Sequence, residues 1–299
     1  MAAAAWVDYE VVRVYASAVA AQRRAALADE AAQAFASATR VSQARLADGD
    51  VSGYQHRRLL LEATRYSALR SEAIVARDSA LRGLALLTGL AVQGNAKDPL
   101  LLTDTLTPRA VSLSPDSLLA LARTRPDLLA VQLEADAAAA GVDVATAERA
   151  PVPVLSGGYK GERLATGESL DGFVAGVSVP LPLWDRRGGA VAAAKGEAGQ
   201  RAAEAALARR QTEREVLDAF AAHEALGTQL AQLDRHLGDE AGKARRAAQA
   251  AYTEGEISLL EWLDAARAYQ EAQTTYVSLW SEYVTRRAAL ERLTGLTLF

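Results

Sequence analysis

The chain contains no cysteine. That excludes disulfides, thiolate nucleophiles and cysteine-ligated metals, and it is compatible with any compartment. No apolar run approaches the ~18 residues of a membrane-spanning helix. Lysine and arginine (33) are outnumbered by aspartate and glutamate (37), for a net charge of −4. The basic face that nucleic acid requires is therefore missing. The N-terminal MAAAAWVDYEVVRVYA has no basic region ahead of an apolar core and does not read as a signal peptide. Catalytic signatures are also lacking. There is no nucleophile–base–acid set and no pair of catalytic carboxylates, and SGGYKGER (156–163) lacks the Gly-Lys-Ser/Thr ending of a phosphate loop. The chain reads as a non-enzyme with no cofactor and no metal site. His56, His223 and His236 are scattered and read as packed or solvated side chains. Only His56, near a turn, merits a test as a metal contact.

Proline is scarce as well, with eight in 299 residues, and half of the chain is hydrophobic, much of it alanine. Alanine is the best helix former and a poor core filler. Such a composition points to long packed helices or coiled coils.

The chain is internally duplicated. LADGDVSGY (46–54) and YTEGEISLL (252–260) align on Gly49 and Gly255 at an offset of 206. The same ungapped offset brings LLTGL (86–90) onto RLTGL (292–296). Each copy reads as a long helix, a tight turn, and a second helix of about 38 residues, ~57 Å at the helical rise. Glycine at the turn tolerates the left-handed conformation, and Ser52 or Ser258 caps the next helix. The second copy carries a seam of Leu259, Trp262, Ala266, Tyr269, Tyr276, Trp280, Tyr283 and Leu290, broken at Gln273 and Arg287. The helix before its turn is expected to run unbroken from about Arg187 to Thr253.

One region is not helical. PVPVLSGGYKGER (151–163) and DGFVAGVSVPLPLW (171–184) flank the connector LATGESL. The second segment alternates, with Phe173, Ala175, Val177, Val179 and Leu181 on one face. Strands of about ten residues around a polar, glycine-containing connector suit a hairpin of a membrane β-barrel, and equally a soluble hairpin. Pro180 and Pro182 end the strand, and Asp185 is placed to cap the helix that follows. A helix at about 116–149 precedes the hairpin, with a boundary or kink at Pro126.

These phrases together resemble the TolC family of outer-membrane efflux channels. VSVPLPLWDRRGGAVAAAKGEA resembles that family's strand-to-helix junction. YTEGEISLLEWLDAARAYQEAQTTY and ARLADGDVSGY resemble its two periplasmic tips. RPDLLAVQLEADAAAAGVDVATAERAPVPVLSGGY resembles the helix and first strand of its second half. The PLPLWDRRGG phrasing is most similar to members paired with heavy-metal or drug pumps.

The expected fold is mainly α: very long antiparallel helical hairpins forming an α-barrel or coiled coil, with one β-hairpin of a trimeric outer-membrane barrel. The divisions are a truncated first helical hairpin (1–91), a linker or equatorial segment (92–115), a helix toward the barrel (116–150), the β-hairpin (151–184) and the second helical hairpin (185–299). The resemblance implies a homotrimer in outer-membrane lipid whose helices extend through the periplasm. Its tips meet a periplasmic adaptor, which links the duct to an inner-membrane RND or ABC pump. Measured by the repeat offset, about 90 residues and a signal peptide are expected upstream. Two strands per chain would give a trimer six, below the usual minimum of about eight.

By the same resemblance Glu261 and Asp264 match acids lining the periplasmic entrance. Three copies of the pair would form negative rings favouring cations. A solvated acidic face paired with Arg267 is the other reading. Tyr252 matches a residue that helps hold the entrance shut, and core packing is equally open for it. Gly49, Val51, Ser52, Gly255, Ile257 and Ser258 form the expected adaptor-docking tips. Two other readings of the chain stand beside the export duct: a soluble periplasmic coiled-coil scaffold or adaptor, and a type I protein-secretion outlet.

Overall fold

A computed structural model describes residues 2–89, 101–103, 114–163, 167, 169–180, 187–237 and 239–296; for residues 2, 3, 169, 170, 236, 237, 239 and 240 it describes the backbone only. The expectations for Leu181, Pro182 and Asp185, for most of the 92–115 segment, for connector residues 164–166 and 168, and for the His236 side chain lie outside these residues. Seven helices and two strands are described: α1 (Ala2–Ala47), α2 (Gly53–Thr88), α3 (Pro115–Arg123), α4 (Pro126–Ala147), β1 (Val154–Arg163), β2 (Ser169–Ser178), α5 (Gly188–Leu237), α6 (Asp239–Glu254) and α7 (Leu259–Thr294).

The helix foreseen at 116–149, with a boundary or kink at Pro126, is two helices, with Thr124 and Arg125 between them. Pro126 stands at the first position of α4, where its missing N–H costs nothing, so it is a boundary and not a kink. The helix expected from about 187 to 253 is described as α5 and α6, helical on both sides of Gly238, which lies outside the described residues.

The duplication is visible in the backbone. Helices α2 and α7 are each 36 residues long and occupy equivalent positions of the repeat. Gly49 and Gly255 share φ 85°, and Gly89 and Gly295 have φ 70° and 71°. At each turn the glycine N–H donates to the carbonyl three residues back, at 3.2 Å. The next N–H reaches five residues back, at 2.8 Å. This pair of bonds is the Schellman closure of a helix. Ser52 and Ser258 then cap α2 and α7, each completing a reciprocal capping box with Gln55 or Glu261.

The chain divides into two units, residues 1–122 with 212–299, and residues 123–211. In the first unit the alanines of α1 do what alanine can do in a core: Ala16, Ala18, Ala20, Ala28 and Ala38 are buried and let neighbouring helices approach. Specific packing comes from larger side chains in three layers. Phe35, Leu59, Tyr66, Tyr252, Leu259, Trp262 and Leu263 join α1, α2, α6 and α7. Ala16, Val19, Leu226, Leu230, Trp280 and Tyr283 join α1, α5 and α7. Leu118, Ala122, Val216, Ala219, Leu290 and Leu293 join α3, α5 and α7. Of the expected α7 seam, Leu259, Trp262, Trp280, Tyr283 and Leu290 are buried. Ala266, Tyr269 and Tyr276 are half-buried. Arg287, read as a break in the seam, is buried and faces Glu291 at 3.5 Å.

The second unit holds α4, the N-terminal part of α5 and the antiparallel hairpin β1–β2, registered from Val154↔Ser178 to Arg163↔Ser169.

The turn geometry separates the two glycines energetically. A Cβ at Gly49 meets nothing within 4 Å, whereas at Gly255 it meets the Arg45 guanidinium at 3.2 Å. Gly49→Ala is expected to cost ~1–2 kcal/mol for the left-handed backbone alone. Gly255→Ala should cost at least as much, because Arg45 must also move. Urea unfolding of the two variants side by side checks the order.

Candidate functional site

The two turns lie side by side in the first unit and are tied by Arg45. Its side chain, from the last turn of α1, donates to the carbonyl of Tyr252 in α6 at 3.4 Å and covers Gly255. A cation at helix C-terminal carbonyls is favourably placed against the helix dipole. Asp48, Gly49, Asp50, Ser52, Glu254, Gly255, Glu256 and Ser258 are exposed, while Val51 and Ile257 are half-buried. Ile257 packs on the aromatic layer behind the turn.

Sequence reasoning missed two residues of this surface. Tyr54 and Leu260 occupy equivalent positions of the repeat, and each is exposed, 67% and 50%. Each copy thus presents one large apolar side chain to solvent just past its cap. The signal was legible: both are apolar residues two positions after the capping serine, at the repeat offset.

Tyr252 is inside the protein. It is 2% exposed and its ring stacks on Trp262 at 5.2 Å. Phe35 packs on Trp262 at 4.8 Å and stacks on Tyr66 at 4.1 Å. Burial pushes the Tyr252 phenol pKa up, partly offset by a hydrogen bond with Ser42 and by the nearby Arg45 charge. His56 belongs to the same neighbourhood: it is buried, with Nδ1 3.2 Å from Ser42 Oγ. Among the described residues no group of three or more His, Cys, Asp or Glu side chains is placed to hold a metal.

Glu261 and Asp264 are both exposed on α7. Arg267, the partner considered for them, instead forms an ion pair with Glu62 of α2. The Glu261 carboxylate accepts from the Ser258 backbone N–H at 2.8 Å, and the Ser258 hydroxyl accepts from the Glu261 N–H at 3.3 Å. Hydrogen bonding to the carboxylate, by the Ser258 backbone N–H first and the Ser258 hydroxyl second, holds the Glu261 pKa below the usual carboxylate value. Gln55 does the same work in the first copy, where its side chain accepts from Ser52 N–H at 2.9 Å. So Glu261 is a capping residue by geometry, and its charge is separable from that task.

The hairpin is the second candidate surface. The register puts Leu155 opposite Val177 and Tyr159 opposite Phe173, with Gly157 and Ala175 between them on the same face. Tyr159 and Phe173 meet edge to face at 5.5 Å. Leu155 is 81% exposed, Phe173 92% and Val177 70%. The opposite face carries Val154, Ser156, Gly158, Lys160, Glu162, Gly172, Val174, Gly176 and Ser178. One face is apolar and exposed from Leu155 to Tyr159 and from Phe173 to Val177, and turns polar toward the connector at Gly161, Asp171 and Arg163; the other is mostly small or polar, with Val154 and Val174 among it. Ten residues at ~3.3 Å span ~33 Å, or about 25 Å when tilted ~40°, the height of an outer-membrane barrel's apolar band.

A family model described as "Outer membrane efflux protein" matches residues 118–296. Three solved structures are similar to the chain. A membrane protein from Pseudomonas aeruginosa superposes with a TM-score of 0.75 at 23% identity, over 98% of this chain and 69% of that one. CusC, studied for conformational changes accompanying folding and transmembrane channel formation, gives 0.77 at 19%, over 99% and 70%. The outer membrane protein VceC from Vibrio cholerae gives 0.74 at 19%, over 99% and 71%. At these identities the structures speak for the fold alone. No curated protein sequence matches the chain.

Because Gln already serves as the third residue of a capping box at Ser52, Glu261→Gln is expected to melt close to the parent, and Glu261→Ala, which loses one arm of the box, to melt below both. Thermal unfolding of the two variants is the check. Ionised Glu261 contributes above its ordinary pKa, and the contribution is lost as pH falls through its lowered folded pKa. The Gln variant should lack that acid-side loss.

Proposed function

The chain belongs to the outer membrane efflux protein family, and on that premise we propose that it is a subunit of a passive export duct crossing the bacterial outer membrane and reaching into the periplasm. The observation that carries the reading is the hairpin. Its apolar face, Leu155 to Tyr159 against Phe173 to Val177, is uncovered among the described residues, and its strands are long enough to cross the apolar band of an outer membrane. A soluble scaffold would gain nothing from exposing Leu155, Phe173 and Val177 together, because an uncovered apolar face marks an interaction site. In lipid the same face is satisfied, and the small and polar side chains opposite face the lumen.

In this reading several copies, three by family resemblance, form the helical tunnel and each contributes this hairpin to the barrel. The two turns point to a periplasmic adaptor that links the duct to an inner-membrane pump. Tyr54 and Leu260 join Val51 and Ile257 as the apolar contacts of that dock. Gly49, Gly255, Ser52 and Ser258 hold the turn geometry that presents them. Glu261 and Asp264 line the entrance. Energy comes from the pump, and the duct itself performs no covalent chemistry. Family membership carries no assignment to a heavy-metal or drug branch.

Two experiments test this. Planar-bilayer recordings of the protein should show cation preference that falls in the Glu261→Gln/Asp264→Asn double variant, whose caps and fold are kept; unchanged selectivity removes these acids from the entrance. In cells, Leu260→Ser should reduce pump-dependent resistance several-fold while the protein remains in the outer membrane. Resistance equal to the parent's would show that the exposed apolar tip is not a dock.

A further inference from the structure

Well away from the turns, α5 and α7 meet through His223. The imidazole is 3% exposed and stacks on Tyr283 with ring centroids 4.1 Å apart. One turn along α5, Gly227 makes room for the same phenol ring, since a Cβ there would lie 3.1 Å from Tyr283 Cε2. Leu226, Leu230, Trp280 and, from α1, Ala16 and Val19 close the layer. Tyr15, Leu102, Tyr276, Leu279 and Val284 pack around it.

This apolar layer holds three polar atoms with no hydrogen-bond partner: His223 Nδ1, His223 Nε2 and Trp280 Nε1. Buried polar atoms are nearly always paired, and leaving one unpaired costs ~1–3 kcal/mol. Packing alone gives no reason to keep a histidine here, because phenylalanine would stack on Tyr283 equally well.

The charges around the imidazole all bear on its protonation. Arg287, one turn beyond Tyr283 on α7, is the cation facing it and opposes a second positive charge. Glu291 lies beyond Arg287 and pairs with it at 3.5 Å. Asp234 of α5 faces Tyr276 at the other end of the layer. From α1 the layer receives Ala16, Val19 and the half-buried Tyr15. Burial is the main cause that depresses the His223 pKa, with Arg287 adding to it. The Tyr283 backbone pulls the other way, yet its approach does not reach hydrogen-bond geometry.

We propose that His223 makes this layer an acid-sensitive seam, in which protonation of the imidazole parts α5 from α7 and lets water reach both His223 and Trp280. A neutral imidazole is tolerated in the closed layer. An imidazolium there is favoured only by the Tyr283 backbone and faces Arg287, whereas in the parted state it is hydrated. The seam is therefore fully closed above the ordinary imidazole pKa of ~6.5 and weakens as pH falls below it. Its opening equilibrium rises by up to about tenfold per pH unit until the depressed folded value is reached. The proposal rests on the helix packing and is independent of the export reading.

Amide hydrogen exchange on the whole chain, corrected for the intrinsic pH dependence, tests it. Protection in residues 219–230 and 277–290 should drop about three- to tenfold between pH 6 and pH 5 in the parent. In His223→Phe, which keeps the ring stack, the same segments should be pH-independent. Parent protection that ignores pH, or an equal drop in His223→Phe, overturns the seam. Should that variant fail to fold, an NMR titration of the parent decides. A His223 imidazole titrating well below 6.5 supports the proposal, and one titrating at or above it overturns the proposal.

Discussion

The packing of Trp262 against Phe35 and Tyr252 is the contact on which the turn region depends. Helices as rich in alanine as α1 can slide along one another, because alanine offers little shape to interlock. A large aromatic group shared by α1, α2, α6 and α7 removes that freedom. Deleting an indole so completely buried costs on the order of 3–5 kcal/mol, more than any other single feature of the turn region. With the helices locked in register there, each chain direction can reverse within a few residues. The two left-handed glycines and two capping serines then become decisive, since they set where the reversal falls and what it displays.

Display is where stability and function separate. At the turns the buried side of each helix carries the aromatics, and the exposed side carries acids, capping groups and one large apolar residue per copy. Glu261 shows how one residue serves both ends: its carboxylate closes a capping box while its charge stays in solvent. Tyr252 shows the opposite. Family resemblance and core packing were both open readings for it, and its ring belongs to the core. Among the described side chains of the hairpin none is buried, and one face carries the larger apolar groups. Such a surface is completed by something outside the chain, and lipid on one side with water on the other satisfies both faces.

Much of this was legible in the sequence because it rests on local chemistry. Left-handed glycines at 49 and 255 follow from acid-Gly-acid phrases between helical stretches, and the serine caps follow from their position. The duplication reinforced both, since the same phrase at one offset is hard to explain otherwise. Strand alternation at 173–179 was equally plain. Legibility failed where the decisive factor was tertiary. Whether Tyr252 faces a pore or a core depends on where Phe35 and Trp262 stand, some 200 residues apart in the chain for one of them. Arg267 was considered a partner for its own helix's acids, but Glu62 of another helix claims it. The capping role of Glu261 and Gln55 was readable from the serine-to-third-residue spacing and was overlooked. The division of the helix at Pro126 was foreseen, and only its form, boundary against kink, needed the structure.

The central claim is that the hairpin stands between lipid and water, and the absence of cysteine makes it directly testable. Single cysteines at Leu155, Tyr159, Phe173 and Val177, and at Gly158 and Val174 on the other face, can each be spin-labelled in protein reconstituted into liposomes. Collision with oxygen, which concentrates in the bilayer, and with a water-soluble nickel complex then reports each label's surroundings. The account predicts labels at 155, 159, 173 and 177 to be oxygen-accessible and nickel-protected, with 158 and 174 reversed. Nickel accessibility at all six positions would contradict it and leave the apolar face without an occupant.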